Sequence, residues 1–358
     1  MMIPIYIPRV ITASAKDALE SNWISSQGPY LEKARAKLAE LLEVPYVILM
    51  NNGTTATHML LKALKYRYPG INTIYAPNNV FVAVWNTILY EYDESSLKIL
   101  EMDPHSLNMR TDEEYIRGLE PNSAVMIVHN VGNIINVPRL KRLRPDIIFI
   151  EDNCEGLFGK YEGVYAGTSP SSLCSSVSFF ANKTITCGEG GAFFTHDKEL
   201  YDYIYCSIHH GASTEKYVYS MLGYNCRMTN IQAALLYDQL MAVAQIRADK
   251  HAIFETYKRL LGGHVTLPKA EEGTVESEWM FVCGVNAEYK ALEAYMKENG
   301  VDIRPFFYDI KRHAHLSHIE GPTMALNGCF CMLPSYPDLT TEQIEKICGH
   351  LLRYGQRL

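Results

Sequence analysis

Apolar residues recur at three- and four-residue spacing over 31–44, where Leu31, Ala34, Leu38, Leu41 and Leu42 share one face of a predicted helix. An unbroken apolar run, Val47-Ile48-Leu49-Met50, follows and reads as a buried strand, and Gly53-Thr54-Thr55 then opens a second helix over 56–65. Further apolar runs lie at 73–76, 97–102, 124–128 and 147–150, several of them separated by helical patterns. Strands that alternate with helices predict a mostly parallel sheet covered on both faces. The runs at 176–180 and 192–195 read as later strands of the same sheet.

A long amphipathic helix rich in Ala, Leu and Gln is expected over 230–251. It is taken to close a large domain, residues 1–251, that includes an N-terminal arm. Residues 252–358 then read as a smaller C-terminal α/β domain. Its pattern is a helix at 253–261, an apolar segment at 279–286, a helix at 289–299, a segment at 300–305 and a last helix at 341–354. Thr341 is the expected N-cap of that last helix, with Gln343-Ile344-Glu345 following.

Composition narrows the class of function. A chain of 358 residues is long enough for a large core and a second domain. The net charge of −7 and scattered Lys and Arg, with no basic block, argue against nucleic acid or an anionic membrane as partner. No stretch is long and apolar enough to span a bilayer. The start, Met1-Met2-Ile3-Pro4-Ile5-Tyr6-Ile7-Pro8, lacks a basic region and an uninterrupted apolar run, so no signal peptide is expected. The nine cysteines are odd in number, and only Cys329 and Cys331 lie close together. They read as small buried thiols of a reduced, cytoplasmic protein. His313-Ala314-His315-Leu316-Ser317-His318 could bring imidazoles together, but no Cys, Asp or Glu ligand follows, and no metal is expected.

Three segments carry candidate chemistry. Asn52-Gly53-Thr54-Thr55 lies between a strand and a helix, where free N–H groups and the helix dipole favour an anion such as phosphate. It is not a P-loop, because the spaced glycines and the Gly-Lys-Ser/Thr are absent. Ile147-Ile148-Phe149-Ile150-Glu151-Asp152 puts a carboxylate at the C-terminal edge of a buried strand, where α/β sheets bind ligands. There it could keep a pyridine nitrogen protonated. Ser178-Phe179-Phe180-Ala181-Asn182-Lys183 ends a strand just before a glycine-rich turn, Thr184 to Gly191. A lysine placed so can project into a closed pocket and serve as nucleophile and base, and Ser178 is placed to donate to a phosphate. Each segment alone has a plain structural reading, as a helix start, a strand-end cap and a turn lysine. Together, in that order, they are what a pyridoxal 5′-phosphate (PLP) enzyme needs. Phe81 could stack on the pyridine ring, or sit in the core on a helix.

These residues resemble the DegT/DnrJ/EryC1/StrS family of PLP-dependent sugar aminotransferases, on the aspartate-aminotransferase-like fold (PLP transferase fold type I). The resemblance covers nearly the whole chain. Its landmarks are the segments at 21–29, 52–55, 151–156, 178–191, 223–234 and 333–337. The Lys183 segment looks closest to the branch acting at C4 of nucleotide-linked 4-keto-6-deoxyhexoses, the perosamine- and viosamine-type synthases. The resemblance implies that Lys183 is the residue joined covalently to the cofactor and that Asp152 pairs with its ring nitrogen. It places Glu155 near the ring oxygen, Phe81 on the ring face, and Thr54, Thr55 and Ser178 around the phosphate. Asn225 is implied to reach the phosphate of the neighbouring subunit, which makes a homodimer with shared sites. Arg227, Tyr308 and Lys311 are candidates for the sugar nucleotide, since cationic and aromatic groups suit a diphosphate and a base. The chain departs from the family where Asn153 replaces a small residue and Cys187 a frequent threonine. It departs also over 129–146, which looks shorter than usual and lacks an acidic residue after the glycine.

The expected reaction is transfer of an amino group from an amino acid, by resemblance L-glutamate, to C4 of a nucleotide-linked 4-keto-6-deoxyhexose. Members that dehydrate place histidine at the lysine position, and this chain has Lys183. The alternatives are transfer to C3 of a 3-keto sugar, and a PLP-fold protein that binds a ligand or regulates without turnover.

Overall fold

A computed structural model describes residues 2–326 and 328–356. Its elements run α1 (Ala13–Glu20), α2 (Pro29–Leu42), β1 (Tyr46–Met50), α3 (Gly53–Arg67), β2 (Ile74–Pro77), α4 (Ala83–Glu91), β3 (Leu97–Leu100), α5 (Glu113–Arg117), β4 (Ala124–Val128), α6 (Val137–Leu143) and β5 (Ile148–Asp152). Next come β6 (Lys160–Tyr161), β7 (Val164–Tyr165), β8 (Ser175–Ser178), β9 (Gly191–Thr195), α7 (Lys198–Ile208), α8 (Asn230–Met241) and α9 (Val243–Leu261). The chain closes with β10 (Thr274–Val275), β11 (Phe281–Val285), α10 (Tyr289–Glu298), β12 (Arg304–Pro305), β13 (Cys329–Leu333) and α11 (Thr341–Gly355).

Seven strands form the large sheet in the order β1-β9-β8-β5-β4-β2-β3. β9 runs against both its neighbours, β1 and β8, and the β2, β3, β4, β5 and β8 pairings are parallel. All five residues of β4 are buried, as a strand covered on both faces requires. One face packs Met59, Leu60, Leu64 and Trp85 of α3 and α4. The other packs Leu38, Leu42, Leu236 and Leu240 of α2 and α8. Predicted and observed strands agree closely here, because unbroken apolar runs are a strong local signal.

A three-stranded antiparallel sheet, β11-β13-β12, backs onto a separate core that includes Phe254, Tyr257, Leu292, Ile344 and Ile347. Between the two sheets, Met102, Leu107 and Val131 meet Trp279, Met280, Phe306 and Met332.

Three expectations need correction. The helix expected at 230–251 is two helices. It breaks at Ala242, whose N–H is shared between Asp238 O and Gln239 O at 3.2 Å each, and then continues unbroken to Leu261. The core changes within α9: Val243 and Ile246 still pack with Leu236 and Leu240 under the large sheet, and Ile253 and Tyr257 pack under the small one. No Gly or Pro marks that break. The N-cap of α11 is Thr340 rather than Thr341. Gln343 lies three residues after Thr340, and the two side chains satisfy each other's backbone N–H, at 3.3 and 2.9 Å. Finally, α1 and β13 were not expected. The apolar segment around Cys331 is the middle strand of the small sheet.

Candidate active site

The C-terminal ends of β1, β5 and β8 bring the three candidate segments to one edge of the large sheet. After β1 the chain turns into α3, and Asn52 caps that helix, its Oδ1 accepting from Thr55 N at 2.8 Å. Thr55 Oγ1 donates to Asn51 Oδ1 at 2.7 Å. The first N–H groups of a helix have no partner inside it, and the dipole makes that end positive. Here the Gly53 and Thr54 N–H groups and the Thr54 hydroxyl are left as a cradle that could take an anion, while the Thr55 N–H and hydroxyl are held by Asn52 and Asn51. Gly53 lets the cradle touch β8, because a Cβ on it would stand 2.6 Å from the Cβ of Ser178. Gly191 is under the same constraint, with Asn52 O only 2.4 Å from where its Cβ would be.

Asp152 ends β5 and is buried. Its Oδ1 accepts from Cys154 N at 3.0 Å, and its Oδ2 accepts from Thr57 Oγ1 at 3.4 Å. Thr57 Oγ1 is also 2.9 Å from Ser176 Oγ. The preceding residue, Glu151, is fully buried on the other face of the strand. It accepts from His129 Nε2 (2.9 Å), Tyr161 OH (3.1 Å), Ser172 Oγ (2.5 Å) and Gly167 N (2.9 Å). His129 Nδ1 accepts from Ile135 N at 3.1 Å, so its proton resides on Nε2, facing Glu151. This hub holds the strand end on which Asp152 stands.

Lys183 lies in the connection from β8 to β9. Its carbonyl accepts from Tyr6 OH at 2.9 Å, and the Asn182 carbonyl accepts from Trp279 Nε1 at 2.9 Å. Two aromatic residues from distant parts of the chain therefore pin this turn. The Lys183 Nζ lies 4.2 Å from the centroid of the Trp279 ring and 3.8 Å from Glu155 Oε1. Burial pushes the Glu155 carboxyl up to about 7, against the pull of Lys183 and of the Val131 N–H at 2.8 Å. A carboxyl that titrates near neutrality thus stands beside the amine.

Thr54, Thr55, Phe81, Asp152, Glu155, Ser178, Lys183 and Tyr308 all line one cavity of about 850 Å³. Phe81 does not sit in the core. It is 57% exposed at the start of α4, and its ring meets Phe307 edge-on at 6.5 Å. Asn225, Arg227 and Lys311 are not among the residues lining this cavity. Asn225 is exposed and accepts from Arg227 Nε at 2.9 Å, and Arg227 Nη2 lies 3.3 Å from His210 Nε2. Lys311 is exposed, its backbone N–H donating to Asp309 Oδ1 at 2.8 Å. Among the histidines at 313–318, His313 packs on Trp85, His315 bonds Asn86 and His318 pairs with Glu94. Among the described residues no three metal-ligating side chains cluster.

Sequence reasoning missed Tyr6, Trp279 and the Glu151 hub. Tyr6 and Trp279 reach Lys183 through tertiary packing, and no local motif records it. Glu151 stands next to Asp152 in sequence, but its partners come from 129, 161, 167 and 172.

The donor set fits PLP. The cradle offers N–H and hydroxyl groups for the phosphate, Asp152 offers a carboxylate for the ring nitrogen, and Lys183 offers the amine for the aldehyde carbon. Phe81 offers an apolar face inside the cavity. The chain is similar to known proteins over its full length. The GDP-perosamine synthase of Escherichia coli O157:H7 is 31% identical over 97% of this chain and 96% of its own length. That of Vibrio cholerae is 29% identical over 99% of each. An aminotransferase of Helicobacter pylori involved in pseudoaminic acid biosynthesis shares the fold, with a TM-score of 0.90 over 100% of both chains at 19% identity. The DegT/DnrJ/EryC1/StrS aminotransferase model matches residues 7–352, and the chain belongs to that PLP-dependent family, on fold type I.

Proposed function

We propose that this protein transfers an amino group from L-glutamate to C4 of a nucleotide-linked 4-keto-6-deoxyhexose, giving a 4-amino-4,6-dideoxy sugar nucleotide. The observation that carries the reading is the meeting of Lys183, Glu155, Asp152 and the α3 cradle on one cavity, in a chain similar end to end to GDP-perosamine synthases. When bound, PLP supplies an electron sink and carries the amino group between the two substrates. Lys183 Nζ would carry the proton between the substrate carbon and C4′ of the cofactor, taking it from the α-carbon of glutamate in the first half-reaction and delivering it to the sugar carbon in the second, as general base and then acid. Glu155, 3.8 Å away, gives or accepts a proton near neutral pH beside it. Asp152 keeps the ring nitrogen protonated, and the cradle with Ser178 holds the phosphate. Tyr6 and Trp279 fix the Lys183 turn so that Nζ stays within reach.

Three further points belong to the same proposal. Asn225, exposed on this chain, completes the phosphate shell of a second copy in a homodimer. Residues 1–251 and 252–358 act as large and small domains around the cavity. The protein works in the cytoplasm, where its nine free thiols stay reduced. The test is to mix PLP-loaded protein with glutamate and GDP-, dTDP- and UDP-linked 4-keto-6-deoxy sugars, and to identify the product by mass and NMR. A 4-amino sugar with stoichiometric 2-oxoglutarate is expected. Amination at C3, or no amination with any acceptor, refutes the reading.

A further inference from the structure

Both substrates of the proposed reaction are anions, a dicarboxylate amino acid and a nucleotide diphosphate, and the role assigned to Arg304 rests on that reading of the function. The cavity that must receive them is lined by the acids Asp152, Glu155 and Glu189. Among the described residues, Lys183 and Arg304 are the only Lys or Arg side chains that line it. Lys183 is committed to the chemistry, and within one chain Arg227 and Lys311 do not line the cavity, which leaves Arg304 as the cation that the chain itself presents to its own cavity. We propose that Arg304 is an anion-recognition residue for the substrates of this site, its guanidinium fork taking two oxygens of a carboxylate or a phosphate.

The surroundings of Arg304 suit the task. It stands on β12, whose backbone is fixed by the register Arg304↔Met332 with β13. A binding group on a rigid strand is placed more reproducibly than one on a loop. Its Nη2 lies 3.3 Å from Asp302 Oδ2, which also accepts from Ile5 N at 3.4 Å. Asp302 N in turn donates to Ile3 O at 2.9 Å. Asp302 thus ties the arginine to the N-terminal arm that carries Tyr6, the residue that pins the Lys183 turn. The Asp302 contact is a single one, so other guanidinium N–H groups stay free for a ligand. The Arg304 side chain is 56% exposed, so an anion entering the cavity reaches it without unfolding anything. Phe306, Phe307 and Met332 line the same wall, and their apolar surface strengthens a charge pair once water is displaced.

The test uses PLP-loaded wild type, Arg304→Lys and Arg304→Gln. Isothermal titration measures the Kd of maleate, an unreactive dicarboxylate, and of GDP, a nucleotide diphosphate. Steady-state rates give KM for glutamate and for the keto sugar nucleotide. In Arg304→Gln the Kd of at least one probe should rise about tenfold or more, with KM for the matching substrate following it. Arg304→Lys should fall between, since it keeps the charge and loses the fork. Thermal midpoint and cofactor absorbance should not change. Weakening of maleate alone assigns the group to the amino-donor carboxylate, and of GDP alone to the diphosphate. Weakening of both means that one residue serves the two substrates in turn. Kd values for both probes within twofold of wild type, or no saturable binding of either probe to wild type, overturn the proposal. Failure of wild type to aminate any sugar would refute the functional reading instead, and the two Kd values would still judge Arg304.

Discussion

Asp152 and Lys183 stand on the large sheet, while Arg304 and Tyr308 belong to the chain around β12 of the small one, and different forces hold these two sides of the cavity. The floor is set by buried strands and by a dense polar hub. Glu151 alone accepts from four donors with no exposure to solvent. The wall is held by the apolar cluster in which Phe306 and Met332 meet Met102, Leu107 and Val131, and by a few hydrogen bonds across the gap. Asn78 donates to Asp309 Oδ2 (2.8 Å) and Pro322 O (2.5 Å), and Asn79 donates to Phe307 O (3.0 Å). Bond making at carbon needs atoms held to a fraction of an ångström, which a packed sheet edge supplies. A wall joined by separable contacts can instead change its fit to a substrate without disturbing the lysine.

If the floor does the chemistry, damage there should cost turnover. Asp152→Asn keeps the shape but cannot hold a ring nitrogen protonated. Turnover in both half-reactions should fall about 10²–10³-fold with the cofactor still attached. Stopped-flow spectra check this, and near-normal rates would remove Asp152 from its role.

Stability separates the two sides next. Glu151→Ala leaves His129, Tyr161, Ser172 and Gly167 without their buried acceptor. It should lower unfolding free energy by about 3–5 kcal/mol, or prevent folding. Asn78→Ala, which cuts the bonds from the end of β2 to Asp309 and Pro322 of the wall, should cost only about 1–3 kcal/mol. Its mark should be a several-fold higher KM for the sugar nucleotide, with the glutamate half-reaction nearly unchanged. A urea titration and the two sets of kinetics make the comparison, and equal losses in both half-reactions would erase the distinction between floor and wall.

The smallest effect is a pH dependence of stability. Burial raises the folded value for Glu155 to about 7 from an ordinary value near 4.5. The folded state therefore binds the extra proton between those limits. The contribution of this group is fully present below about pH 4.5 and is lost as pH rises through about 7. Glu155→Gln should flatten that part of the curve, by roughly 1–3 kcal/mol across the window. Thermal midpoints at half-unit pH steps are the readout, and parallel curves for the two proteins would contradict the raised value.

The same contrast explains what the sequence reveals. The floor is legible because its residues lie in local signals: an apolar run ended by Asp152, a Gly-Thr-Thr helix start, a lysine before a glycine-rich turn. The wall is not. Arg304 sits in a two-residue strand, and Asn78, which bonds the floor to the wall, sits in a turn; neither carries a pattern of its own. The break at Ala242 is hidden for a related reason, since the apolar helical pattern runs on through it and Val243 and Ile246 still pack with Leu236 and Leu240. Trp279 is readable as a buried aromatic, but its contact with Lys183 exists only in the folded chain.

The central claim is that Lys183 is the residue that carries the cofactor, and borohydride tests it most directly. The PLP-loaded protein is reduced, digested and mapped by mass spectrometry, beside Lys183→Ala treated in the same way. The account predicts one pyridoxyl label, on the peptide containing Lys183, and none in the variant. A label on another lysine, or well-loaded wild type that takes no label, would contradict it.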